Sequence, residues 1–358
     1  MTPLAATLLR RIGQTGPLTV ADYMAECLAH PEHGYYTSRD PLGAVGDFTT
    51  APEISQMFGE LIGLCLAETW AAEGRPARFT LAELGPGRGT LMADALRATA
   101  AVPGFHDAMT LALVEISPPL RAAQAERLSA YRPHWFDTTP DLANTPGPLF
   151  AVANEFFDAL PIRQFVRRGP GWSERMVTEE NGRLAFGLSP AAPLAALAHR
   201  LDDTEDGDLV ELCPAAQPIA ASLARAIATR GGAALIVDYG GWRSRGDTLQ
   251  ALRGHAFADP LDAPGQADLT AHVDFEPLAR AATEASACAS QLTPQGVFLE
   301  RLGITLRAQT LARHLAGPAL DVHIAAHRRL THPDEMGNLF KAMALYPRNA
   351  APPPGLDP

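Results

Sequence analysis

Glu83-Leu84-Gly85-Pro86-Gly87-Arg88-Gly89-Thr90 follows the short strand candidate Phe79 to Leu84, and a helix is expected from about Arg88. Glycines at a strand end allow a tight turn and let a ligand approach the backbone without interference from a Cβ. The start of the following helix offers N–H groups that have no partner inside it. The spacing is G-x-G-x-G, and Thr90 stands where the pyrophosphate fingerprint G-x-G-x-x-G would place its third glycine. A ligand without phosphate, such as S-adenosylmethionine (SAM), fits that departure better than a dinucleotide. A plain strand-to-helix turn would use the same glycines.

Outward from this motif the chain alternates strand and helix, the pattern of an α/β fold with a parallel sheet. Met109 to Glu115 is a second strand, followed by the cap-plus-proline helix start Ser117-Pro118. Pro148 to Ala153 is a third, closed by Asn154-Glu155, and Ala233 to Asp238 is a core strand preceded by a helix over about 215–229. Glu115 ends the strand expected beside the glycine loop, where open α/β sheets bind ligands, and its carboxylate can accept from both hydroxyls of a ribose.

Residues 1–75 read as a helical region with a lid loop. Thr2-Pro3 opens one helix, and Thr19 to Asp22 forms a capping box ahead of another. A helix beginning at Pro52 carries the stripe Ile54, Met57, Phe58, Leu61, Ile62 and Cys65. Residues 76–160 and 206–346 form the two halves of the sheet domain. Between them, 161–205 holds a small antiparallel β insertion over about 161–190, signalled by the Asn181-Gly182 turn. Residues 347–358, with three consecutive prolines, read as a flexible tail.

Composition excludes several classes. The net charge is −11, which disfavours a nucleic-acid partner and suits a cationic substrate. Lys341 is the only lysine and lies in neither a P-loop nor a Schiff-base context, so P-loop NTPases, kinases and pyridoxal enzymes are poor readings. The four cysteines are far apart, which argues against disulfides and structural zinc. His323 and His327 are spaced i, i+4 but lack the metalloprotease glutamate between them, so no metal is expected. Without a signal-like block or a long apolar run, the chain reads as cytoplasmic, with no membrane insertion.

Long strings then carry a resemblance: GDFTTAPEISQMFGELIG (46–63), ELGPGRGTL (83–91), VEISPPLRAAQ (114–124), NEFFDALPIRQF (154–165), VDYG (237–240), ADLTAHVDF (267–275) and MGNLFKAMAL (336–345). The chain resembles the MidA-type branch of the class I SAM-dependent methyltransferases, related to the mitochondrial complex I assembly methyltransferase. The resemblance implies a Rossmann-like class I methyltransferase sheet with SAM as cofactor. In the mitochondrial relative it implies dimethylation of an arginine on a respiratory complex I subunit, so a protein substrate bearing an arginine is the expected partner.

In this reading Glu83, Gly85, Gly87, Gly89 and Glu115 bind the cofactor. Asp47 and Thr50, in a polar cluster with Thr49 and Glu53, join them from the lid loop, although Thr50 could simply cap a helix. Asn154 and Glu155 close a core strand near the transfer point. Glu155 and Asp158 would share a helical face on the next turn and suit a guanidinium, whose N–H fork pairs with carboxylates, or Asp158 could be a helix cap. His272 is the candidate proton acceptor or partner of Glu155, or a structural histidine. Two rivals remain: a small-molecule methyltransferase on the same fold, and a SAM-binding assembly factor without turnover.

Overall fold

The computed structural model describes residues 1–38 and 50–358. The chain forms two compact units, each built from three separate segments. One unit is Thr49–Phe157, Gln217–Trp242 and Phe275–Pro358; the other is Met1–Phe48, Asp158–Ala216 and Arg243–Asp274. This partition interleaves stretches that the sequence reading takes as consecutive domains.

The first unit is the expected Rossmann-like methyltransferase sheet. Its main strands are Phe79–Leu84 (β1), Met109–Val114 (β2), His134–Phe136 (β3), Leu149–Asn154 (β4), Gly232–Gly241 (β5), Ala287–Ala289 (β6) and Phe340–Pro347 (β7), in the order β6-β7-β5-β4-β1-β2-β3. Neighbours from β5 to β3 run parallel, and β7 lies antiparallel between β5 and β6. Every residue of β1 and β4 is buried, as expected of strands covered on both faces. The chain leaves β1 toward β2 and β3, then returns to β4 on the other side of β1. That reversal is a topological switch point, and ligands of such sheets sit beyond the strand carboxyl ends there.

Helix α1 (Gln56–Ala72) holds α2 (Thr90–Thr99), the helix that follows the glycine loop, at very close range. A Cβ added to Gly63 would lie 2.6 Å from the Cα of Ala95, so only glycine admits this approach. Beneath it, Trp70, Phe79, Phe105 and Phe150 stack in tilted and edge-on pairs with ring centroids 4.9 to 5.8 Å apart. The helix expected from Pro52 is broken in two: a short turn, Ala51–Ile54, ends at Ser55, whose φ of −160° is extended. The Ser55 hydroxyl then accepts the Met57 N–H and caps α1. Residues 347–358 are not a loose tail. Leu356 is buried, the Gln291 N–H donates to the Asp357 carbonyl, and Arg301 pairs with the Asp357 carboxylate.

The second unit is mainly antiparallel, and its β structure is larger than the sequence suggests. Leu18–Thr19, Gly171–Glu180, Arg163–Arg168 and Leu209–Leu212 form a sheet in that order, with Arg183–Leu188 paired to Gly171–Glu180 through the Asn181-Gly182 turn. The N-terminal strand and Leu209–Leu212 lie far from the hairpin in sequence, so local turn signals could not report them. The capped helices Pro3–Thr15 and Val20–Ala29 supply Leu4, Leu8, Tyr23 and Met24 to a core shared with Ile162, Val177 and Leu269.

One buried charge stitches three helices of the first unit together. Glu60 on α1 accepts from Arg97 of α2 at 2.6 Å and from Arg307 of helix Ile304–Ala312 at 2.7 and 2.9 Å. Burial pushes its carboxyl up, and bonding and charge from Arg307 and Arg97 more than reverse this, leaving its pKa below the ordinary value. The ion pairs are therefore present above the unfolded pKa of about 4.3 and lost as pH falls through the lower folded value. Glu60→Gln should lower unfolding free energy at pH 7 by about 3 kcal/mol in urea titrations, and the gap to wild type should narrow progressively as pH falls below the unfolded pKa of about 4.3. Equal stability at pH 7 would show that the arginines contribute nothing net.

Candidate active site

The parallel ladder runs one residue beyond the strands. The Gly85 N–H donates to the Val114 carbonyl at 3.0 Å, Glu115 to Phe136 at 3.1 Å, and Glu155 to Val237 at 2.9 Å. Gly85, Glu115 and Glu155 thus stand in a row at the carboxyl edge. The glycine loop behind them is left-handed at Gly85, Gly87 and Gly89. At Gly85, with φ of 62°, a Cβ would also lie 2.9 Å from the ring of Phe156, so conformation and packing both demand glycine. At the start of α2 the Thr90 hydroxyl donates to Glu53 at 2.5 Å and accepts from Arg127 at 2.9 Å, which ties the Ala51–Ile54 turn to this loop.

Two buried acceptors at this edge lack partners among the described residues: Glu83 Oε2 and Asn154 Oδ1. They stand on adjacent strands at the switch point, and buried polar atoms of this kind are normally satisfied. Burial pushes the Glu83 pKa up to about 8, and the Glu115 charge adds to the rise against a bond from the Met92 N–H. Glu115 is anchored: Oε1 accepts the N–H groups of Ile116 and Ser117 at 2.9 and 2.8 Å, and Oε2 accepts from Gln124 at 3.2 Å. Burial holds its pKa above the usual value despite those bonds.

After β4 the structure departs from the expected helix. Residues 155–160 form bends and a turn, so Glu155 and Asp158 do not share a helical face, and Asp158 caps no helix there. Glu155 has φ of 49°, a left-handed conformation costing about 1–3 kcal/mol for a side chain of this kind. Asp238, fully buried at the end of β5, compensates. Its Oδ2 accepts the N–H groups of Phe156 at 3.2 Å and Phe157 at 3.0 Å, and its Oδ1 accepts that of Tyr239 at 2.9 Å. Successive amides beside a left-handed residue make an anion-holding concavity, and here the occupant is a side chain of the same protein. The Glu155 carboxylate accepts the Ala51 N–H at 2.9 Å and the Asn154 amide at 3.1 Å.

Seven predicted residues are therefore brought together in the first unit: Glu83, Gly85, Gly87, Gly89, Glu115, Asn154 and Glu155. Thr50 precedes the Ala51–Ile54 turn, and its side chain makes no capping bond. Asp47 and its neighbour Thr49 lie outside the described residues. Asp158 and His272 belong to the second unit, where the Asp158 carbonyl accepts the Ala271 N–H at 3.0 Å. The His272 N–H donates to Thr248 Oγ1 at 2.8 Å, and Thr248 is itself held by buried Glu211 and its partner Gln164. Among the described residues no cluster suits a metal ion, and no helix is long and apolar enough to cross a membrane.

A family model of S-adenosyl-L-methionine-dependent methyltransferases matches residues 61–293. The chain belongs to that family. It is 39% identical to "Protein arginine methyltransferase NDUFAF7, mitochondrial" of Xenopus laevis, covering 96% of this chain and 84% of that protein. The human protein of the same name is 38% identical over 97% of this chain. A crystal structure from Burkholderia thailandensis, bound to S-adenosyl-homocysteine, superposes with a TM-score of 0.81 at 30% identity, covering 99% of this chain and 92% of that one. The protein is a SAM-dependent methyltransferase, and the orphaned acceptors, the glycine cradle and Glu115 fit that cofactor. The relatives are named as mitochondrial proteins, which overturns the cytoplasmic reading.

Four residues that border this candidate site escaped the sequence reading. Asp238 and Gln124 lie inside the strings VDYG and VEISPPLRAAQ. A fully buried aspartate ending an apolar strand, and a glutamine on the Leu120 face of a helix, are the signals that could have found them. The Phe156 ring against Gly85 and the apolar side chain of Ile116, 57% exposed beside Glu115, have no comparable signature.

The raised Glu83 pKa sets a test. Near pH 7 this carboxyl is protonated before ligand arrives, and a cationic ligand favours its charged form, so binding releases a proton. SAM titrations at pH 7 in phosphate and in Tris should therefore give different heats, and Glu83→Gln should remove the difference. Identical heats for the wild type would show that Glu83 does not change its protonation on binding.

Proposed function

We propose that this methyltransferase modifies the guanidinium of an arginine in a protein substrate. The observation that carries the reading is the near full-length similarity to proteins named protein arginine methyltransferases. The acceptor-rich strand edge supports it, since Asn154 Oδ1 awaits a donor and Glu155 offers a carboxylate of fixed orientation. A guanidinium presents only N–H donors and positive charge, and the net charge of −11 draws such substrates in.

Bound SAM supplies a methyl group already activated on a sulfonium, so the protein's main task is placement. Gly85, Gly87 and Gly89 admit the cofactor, Glu83 and Asn154 accept its or the substrate's donors, and Glu115 holds the ribose. Glu155 attracts the guanidinium and fixes one nitrogen toward the methyl. A subunit of respiratory complex I is the acceptor implied for the mitochondrial relatives; for this chain the proposal is a protein arginine.

Mass spectrometry of peptides from cells with and without this protein should reveal methylated arginines that depend on it. Glu155→Gln keeps a carbonyl for the Ala51 N–H and the Asn154 amide but removes the charge. It should slow transfer to that acceptor at least tenfold, the equivalent of about 2–5 kcal/mol for a lost buried charge pair, and leave SAM affinity within about threefold. Full transfer by this variant would defeat the guanidinium clamp and favour a neutral acceptor.

A further inference from the structure

Helix α3 (Pro118–Arg127) forms the wall behind the glycine loop. A Cβ on Gly89 would meet Leu128 at 3.3 Å and the Gln124 side chain at 3.7 Å. Gln124 itself is fully buried. Its Nε2 donates to the Gly87 carbonyl at 2.6 Å and to Glu115 Oε2 at 3.2 Å, and its Oε1 accepts from the Trp135 indole at 2.8 Å.

The orientation of this amide is fully determined. An indole N–H can only donate, so it must face the amide oxygen, whereas a backbone carbonyl and a carboxylate can only accept, so both must face the amide nitrogen. One side chain therefore joins the two cofactor-facing elements, the glycine loop and the strand-end carboxylate. Both Glu115 oxygens are held from inside the protein, Oε1 by the Ile116 and Ser117 amides and Oε2 by Gln124. Among the described residues only Gln124 bonds Oε2 from another element, and it leaves that oxygen a second lone-pair direction.

We infer that Gln124 is a positioning residue for the cofactor's ribose: held by the Gly87 carbonyl and the Trp135 indole, it fixes the plane of the Glu115 carboxylate so that Glu115 Oε2 meets the ribose hydroxyls. The inference rests on the assignment of Glu115 to the ribose.

Calorimetry with S-adenosylhomocysteine needs no methyl acceptor. Glu115→Gln should weaken S-adenosylhomocysteine at least tenfold; unchanged affinity removes the ribose assignment itself and the inference with it. Gln124→Met keeps volume but loses the donors, and should weaken S-adenosylhomocysteine about tenfold while binding its 2′,3′-dideoxy analogue as the wild type does. In the Glu115→Gln background, Gln124→Met should add little. If Glu115→Gln weakens binding and Gln124→Met does not, the ribose assignment stands and the role of Gln124 is overturned. Equal weakening for ribose and dideoxyribose ligands also overturns it, because a collapsed loop would affect both. Should Gln124→Met fail to fold, Trp135→Phe removes only the donor that fixes the amide. It should weaken S-adenosylhomocysteine about threefold and spare the analogue, and wild-type affinity there overturns the inference.

Discussion

The carboxyl edge of the sheet depends on Asp238 accepting the amides of Phe156 and Phe157. That grip holds Glu155 in a left-handed conformation which the chain would otherwise leave. The turn in that shape aims Glu155 at the Ala51 N–H and lays the Phe156 ring on Gly85. Glycine at 85 is thus required by a residue 71 positions away, and the glycine loop and the turn after β4 form one packed object. A protein interior tolerates little slack at such contacts, so a small shift in either part is felt by the other.

The buried acids of the first unit differ in what satisfies them. Glu60 is met by arginines and its pKa falls; Asp238 is met by backbone amides. Glu115 is met by backbone amides and an amide side chain. Glu83 keeps an oxygen without a partner among the described residues, and its pKa climbs to about 8. Desolvation without compensation is costly, and proteins retain it mainly where a ligand completes the set. The contrast sets the acids satisfied within the sheet unit apart from Glu83, whose unpartnered oxygen fits a ligand's donor.

Much of this was legible from residues alone. Apolar runs of strand length, Ser and Thr caps, and the G-x-G-x-G turn gave the parallel sheet and placed Gly85, Glu115 and Asn154 at one edge, because those signals act within a few residues. What failed was non-local. The helix expected after Asn154 is absent because Asp238, 84 residues later, captures the amides that would have started it. The loose tail is packed because Leu356 finds an apolar site in the first unit, which proline content does not reveal. Gln124 falls on the Leu120 face of its helix, which hints at burial, but its indole and carbonyl partners come from distant elements that the local pattern does not reveal.

Strand β7 sits inside the sheet between β5 and β6, although it is made last. During synthesis, every other strand of the sheet leaves the ribosome before this one. Until residue 347 has emerged, β5 presents an unpaired apolar edge, a template for joining other chains. At about 5–20 residues per second, the interval from the end of β5 to the end of β7 lasts roughly 5–20 s. A nascent chain of this design has a defined window in which that edge is open, and a chain interrupted within it lacks the strand that covers β5.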